Sequence, residues 1–217
     1  MIIKEVTLFT SNIQKQRQFY KTTLGLEIME DTPKKIAFKT GNSILSFQYK
    51  SKMQPSHLAF NIPYNAIYDA LKWLRERIEA IPYENEYVTD FSRWKAKAVY
   101  FYDEDHNIME FIAREDIEIE SDVAFSPQSI ISISEMAIAT DDIENVYKEI
   151  SKLRSIPIYD GGFERFCALG NHEGLFILIN KNIKKWYPTN EVAQTSDFIM
   201  KGDYNFSFLD GKIEEIS

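Results

Sequence analysis

One pattern is written three times along this chain. EVTLFTSNI (residues 5–13), HLAFNIPYNAI (57–67) and EMAIATDDI (135–143) each open on a polar residue, alternate like a strand and end in helix-capping residues. A unit repeated at this length is one supersecondary block whose apolar face must be covered by another copy. In the first copy a strand over 3–10 leads to Asn12 as N-cap, a helix to about 24, Gly25 at its C-terminal end, and strands near 26–29, 35–39 and 43–49. The second copy has a strand over 57–62, a helix capped near Asn65 and running to about 78, and a long aromatic stretch over 83–94. It closes on a hairpin over 97–114, whose strands 98–102 and 108–113 flank the polar reversal from Asp103 to Asn107. The third copy has a strand over 135–140, a helix over 143–153 and a last strand over 175–180.

These patterns predict an α+β fold of tandem βαβββ units. The expected division is a paired domain over 1–114, a linker over 115–129, and a third unit with short tail strands over 130–217. The linker is acidic, carries Pro127 and lacks a clear period. The tail has strand-like pieces over 197–200 and 204–209 but no fourth full unit.

Glu110 is the residue that asks for an explanation. It sits in mid-strand with apolar neighbours, and a carboxylate there must be ion-paired, hydrogen-bonded or bound to a metal. Arg93 or Lys97 would satisfy it as an ion pair. Laying the repeats over one another puts Glu5, His57 and Glu135 at one equivalent position, and Ser46, Glu110 and Ile177 at another.

A formal charge of −8 argues against nucleic acid or an anionic membrane surface as partner. No apolar run approaches the roughly 20 residues that span a bilayer. Lys4 and Glu5 interrupt any leader pattern, and the single Cys167 fits a reducing compartment, so a cytoplasmic protein is expected. Cys167 reads as a buried strand residue, and His106 and His172 as solvated turn residues. There is no glycine-rich phosphate loop, Cys-x-x-Cys pair or nucleophile elbow.

Two stretches, VTLFTSNIQKQRQFYKTTLGL and VYFYDEDHNIMEF, resemble the vicinal oxygen chelate superfamily of glyoxalases, extradiol dioxygenases, fosfomycin-resistance enzymes and bleomycin-binding proteins. The resemblance covers residues 1–114 best. It implies a cup-shaped sheet with helices outside and a divalent metal inside, held by the first and last strands of paired units. Carried over by position, the metal ligands are Glu5, His57 and Glu110, because Ser46 is not a credible ligand. Mn, Fe, Zn and Ni all suit two carboxylates and an imidazole. Glu110 or Glu5 would move the proton. By strand parity and position, Gln48, Arg93, Trp94, Tyr100 and Tyr102 are the expected substrate contacts.

The implied function is a metal-dependent lyase, isomerase or ring-cleaving dioxygenase acting on a small oxygenated molecule. The alternative is a metal-free protein that binds or sequesters a small molecule, in the manner of bleomycin resistance. The third unit, with Ile177 where a glutamate stands in the second, is expected to lack a site of its own. It either packs on the first domain with the tail or pairs with its counterpart in a second chain, and the latter would make a homodimer.

Overall fold

A computed structural model describes residues 1–216. The first unit contains β1 (Ile3–Thr10), α1 (Ile13–Arg17), β2 (Ile28–Asp31), β3 (Lys35–Thr40) and β4 (Ser43–Tyr49). The Asn12 side chain accepts from Lys15 N at 3.1 Å, as an N-cap should. The helix then widens into a π-helical segment (Gln18–Thr23) before Gly25, whose φ of +71° is the left-handed conformation that ends a helix.

The second unit contains β5 (His57–Ile62), α2 (Ile67–Arg75), β6 (Ala80–Ile81), β7 (Thr89–Phe91), β8 (Ala96–Tyr102) and β9 (Ile108–Arg114). Asn65 does not cap α2. Ala66 holds that place, and Asn65 instead exchanges hydrogen bonds of 2.9 and 3.0 Å with the Ser121 backbone.

The third unit contains β10 (Ser132–Thr140), α3 (Ile143–Leu153), β11 (Ile158–Gly162), β12 (Phe166–Asn171) and β13 (Gly174–Asn180). Asp142 caps α3, accepting from Asn145 N at 2.9 Å. The tail adds β14 (Phe198–Gly202), β15 (Phe206–Leu209) and β16 (Lys212–Glu215), the last without a counterpart in the sequence reading. No helix among the described residues is long and apolar enough to cross a membrane.

The pairing of units departs from the expected 1–114 domain. Sheet one runs β16-β15-β14-β1-β4-β3-β2, so the first unit is completed by the tail. Sheet two runs β11-β12-β13-β10-β5-β9-β8-β6, with β7 also on β8, so the second unit is completed by the third. In each unit the first strand pairs parallel with the last, leaving its other edge open. Open edges attract strands, and periodicity alone does not say which copy fills which edge. Here β14 closes the edge of β1, and β5 closes that of β10 in antiparallel register. The open edge on which a homodimer was expected is therefore filled from within the chain.

The linker is packed rather than free. It contains short 3-10 turns (Glu115–Ile117 and Pro127–Ser129), and Phe125 is buried against Trp73 and Phe111. At the tight turn before Ser43, a Cβ on Gly41 would lie 2.2 Å from the Ile131 carbonyl oxygen, so only glycine lets the two segments approach.

One apolar core joins both sheets and the helices. Phe38 and Phe47 from sheet one, Phe60 and Phe111 from sheet two, and Tyr20 and Leu74 from the helices all belong to it. The other face of sheet two carries much smaller residues, among them Ala59, Ala98, Ala137, Ala139 and Ala168. Tyr100, Ile112, Ile177 and Ile179 share that face with the alanines.

Candidate metal and substrate site

That face opens into a cavity of about 530 Å³, within the range of small-molecule sites. His57, Glu110 and Glu135 line it together. His57 begins β5, and its parallel register against β9 pairs His57 with Ile108 and Ala59 with Glu110. Glu135 reaches Ala59 from the other side through the antiparallel β5–β10 register. A bulge between Ile133 and Glu135 changes the alternation of β10, so Ile133 and Met136 both enter the helix-side core while Glu135 turns into the cup.

The three residues are buried, and one donor atom from each lies within 4.8 Å of the others. His57 Nε2 is 3.3 Å from Glu110 Oε2 and 4.0 Å from Glu135 Oε2. Nδ1 lies 2.9 Å from the Ile108 carbonyl oxygen, which accepts its proton and fixes the ring with Nε2 toward the carboxylates. Arg114, the last residue of β9 and wholly buried, donates to Glu135 Oε1. That leaves Oε2 facing the imidazole. Its Nε lies 3.4 Å from Ser134 Oγ, and its guanidinium stands 5.5 Å from the centre of the Trp94 ring.

Burial and the neighbouring charges shift protons at the site. Burial, then the charge of Glu110, raises the Glu135 carboxyl to about 7 against the pull of Arg114 and His57. Burial alone would lower the His57 imidazole, but its hydrogen bond to Glu110 and the charges of both glutamates leave it raised. The Tyr100 phenol, across the strand pair from Glu110, is pushed well above its usual range by burial and then by both carboxylates.

The expected site residues divide sharply. His57 and Glu110 meet, and the partner of Glu110 is His57 rather than Arg93 or Lys97. Glu5 is not with them. It lies in sheet one, accepts from Ser46 Oγ at 2.8 Å, and stands 3.8 Å from both Lys35 and Lys201. Gln48 is exposed on β4, also in sheet one. Arg93, Trp94 and Tyr100 do line the cavity. Tyr102 is not part of its wall; the ring stacks on His106 at 3.9 Å and the hydroxyl donates to Glu191 at 2.8 Å. Cys167 is buried in β12.

Glu135, and not Glu5, is the third member of the buried cluster, so the third unit, expected to lack a site of its own, lends one residue to the cavity of the second. Its equivalence to His57 in the repeat was the available signal, and only the choice of paired units hid its meaning. Sequence reasoning missed the segment between β13 and β14 altogether. Trp186 stands 5.9 Å from the His57 ring, and Tyr187 packs against Tyr83, Phe91 and Tyr100. No periodicity marks that segment, so nothing in the sequence assigned it to the wall.

A family model described as a glyoxalase-like domain matches residues 3–118. No curated protein matches the chain. Among solved structures, a proposed dioxygenase from Bacillus subtilis subsp. subtilis str. 168 is similar with a TM-score of 0.62 and 16% identity over 85% of this chain, which spans 65% of that protein. At that identity the likeness concerns the fold. A lactoylglutathione lyase from Agrobacterium tumefaciens aligns with 22% identity and a TM-score of 0.45, over 54% of this chain and 97% of its own. A fosfomycin resistance protein variant from Listeria monocytogenes, solved with Mn(II) and a dihydroxypropylphosphonic acid, aligns with 17% identity and a TM-score of 0.41, over 52% of this chain and 90% of its own.

Proposed function

The chain belongs to the glyoxalase-like domain family, within the vicinal oxygen chelate superfamily, and from that premise we propose a divalent-metal-dependent enzyme acting on a small oxygenated molecule. Lyase, isomerase and ring-cleaving oxygenase chemistry lie within that reading. The observation that carries it is the buried convergence of His57, Glu110 and Glu135 within 4.8 Å. The donors fit Mn, Fe, Zn or Ni. The charge fits as well: with a neutral imidazole, two carboxylates and the Arg114 guanidinium leave one negative charge uncompensated in the cluster. His57 already presents Nε2 with its other nitrogen engaged, as a ligating histidine does.

A bound divalent cation would act as a Lewis acid that polarises two neighbouring substrate oxygens. The side chains supply the remaining chemistry. In the metal-free protein burial and the charge of Glu110 raise the Glu135 carboxyl to about 7, so a cation bound there would displace a proton from it. Glu110 keeps the proton-carrying role by position, whereas Glu5 loses it by lying in the other sheet. Tyr100 stays protonated and can donate to a developing oxyanion. Trp186 and Tyr187 add aromatic surface to the cavity wall. Metal analysis of protein purified without chelator tests the proposal: about one Mn, Fe, Zn or Ni per chain is expected. Protein that is empty and takes up none of the four overturns it.

Metal-free binding of a small molecule is the second reading. It is favoured by the raised His57, because an imidazolium would balance the cluster without a cation. Ligand affinity unchanged by His57→Ala would support it.

A further inference from the structure

Lys184 is the cavity-lining cation that the site described so far does not use. It is half-buried on the segment after β13, with its ammonium 5.8 Å from the centre of the Phe166 ring. Burial lowers its proton affinity, and the charged neighbour that adds to this is another cation, Arg165. Among the described residues no carboxylate lies within ion-pair distance of it. A half-buried ammonium without a counter-ion is costly, and a ligand anion would offset that cost.

The other charged groups at the cavity have partners of their own, the His57, Glu110 and Glu135 cluster being the place of the proposed cation. Asp160 accepts from Trp94 Nε1 at 2.8 Å, from Arg93 at 3.2 Å and from Gly161 N at 2.8 Å. Asp90 accepts from Ser92 Oγ at 2.5 Å. Arg93 is 86% exposed and bound to Asp160, so it offers little to a buried ligand. The lining between these groups is aromatic. Trp94 stacks on Phe166 at 6.1 Å and 30°, and Trp186 and Phe91 border the same space. A single ammonium suits one negative charge. A phosphate dianion would call for the several donors that a helix N-terminus or an arginine cluster provides. A cationic ligand would meet Lys184 as a repelling charge.

We infer that the cavity selects a flat aryl carboxylate, with Lys184 holding the carboxylate group and the Trp94–Phe166–Trp186 wall holding the ring. This deepens the proposal that the same cavity is the substrate site, and it rests on that reading. Lys184 is thereby a specificity residue, supplied by a segment outside the repeated units.

Benzoate and its neutral counterpart benzamide test the inference, titrated into the full-length protein by calorimetry at low salt. Benzoate is expected to bind about tenfold more tightly, as a charge-assisted hydrogen bond would give. Lys184→Met should remove the preference and leave benzamide affinity unchanged, and Lys184→Arg should keep most of it. Equal affinities in the wild type, a preference that survives in Lys184→Met, or no saturable benzoate binding would each overturn it. Running both titrations in EDTA-treated and Mn-saturated protein separates this inference from the one beneath it. Protein that takes no metal but keeps the Lys184-dependent preference sinks the metal proposal alone. Protein that binds metal without the preference sinks the carboxylate inference alone.

Discussion

The two sheets begin from equivalent residues and reach opposite ends. In sheet one, Glu5 and Ser46 occupy the first-strand and last-strand positions; in sheet two, His57 and Glu110 do, with Glu135 facing them. The Glu5 side chain is 19% exposed between two lysines, whereas Glu110 is 2% exposed beside another carboxylate. A carboxylate with water and two cations in reach is a solvated ion-pair centre. The same group sealed against a second carboxylate needs a proton or a cation. Equivalent strand positions therefore do not make equivalent sites; what covers the face and what stands opposite decide.

The comparison is most open to attack at its buried cation. Arg114→Met should destabilise the protein by about 3–5 kcal/mol, because it leaves the buried Glu135 without its guanidinium partner. Lys201→Met beside Glu5 should cost less than about 1 kcal/mol, since that pair is half in water. Urea unfolding of both variants reads the contrast, and similar losses would dissolve it.

Metal affinity is the next measure. Glu110→Gln should weaken Mn binding by at least about a hundredfold, the upper end of what even outer-shell partners are worth, while Glu5→Gln changes it by less than about twofold. Competition titration against a chelating dye would show it. A matching loss in Glu5→Gln would restore the site expected from sequence.

The smallest step is in pH. The folded-state carboxyl of Glu135 is raised from 4.5 to about 7, so the folded, metal-free protein holds a proton that the unfolded chain has released. Its contribution is complete below pH 4.5 and is lost as pH rises through about 7; the raised His57 acts in the same sense above 6.5. Stability of the EDTA-treated protein should therefore fall across that window, by at most about 1.4 kcal/mol per pH unit for each proton. Mn should flatten the slope, because it takes the place of the protons. Stability that rises over the same window would contradict the buried-pair assignment.

Much of this was legible in the residues. Asn12 caps its helix as read, the hairpin around Asp103–Asn107 forms, and Glu110 points into a cup. Asp103 shows why that turn was readable: its Oδ1 accepts from Asp105 N at 3.0 Å and Asn107 N at 2.9 Å, a local pattern of turn-forming side chains. His57 was legible as a partner for Glu110 because both lie in one unit, where strand order follows from short connections. Glu135, Trp186 and Lys184 were not, since each reaches the cavity through a pairing or a crossing that no local pattern records.

By itself, the sequence determined the repeated strand-helix-strand units and the face on which each polar residue would lie, because alternation and capping act over a few residues. The tertiary structure decided which units share a cup. Every unit offers the same open first-strand edge, so local energies are nearly alike for either partner. The choice depends on long-range closure, with the tail strands taking β1 and the third unit taking β5. That choice moved Glu5 out of the site and brought Glu135 in.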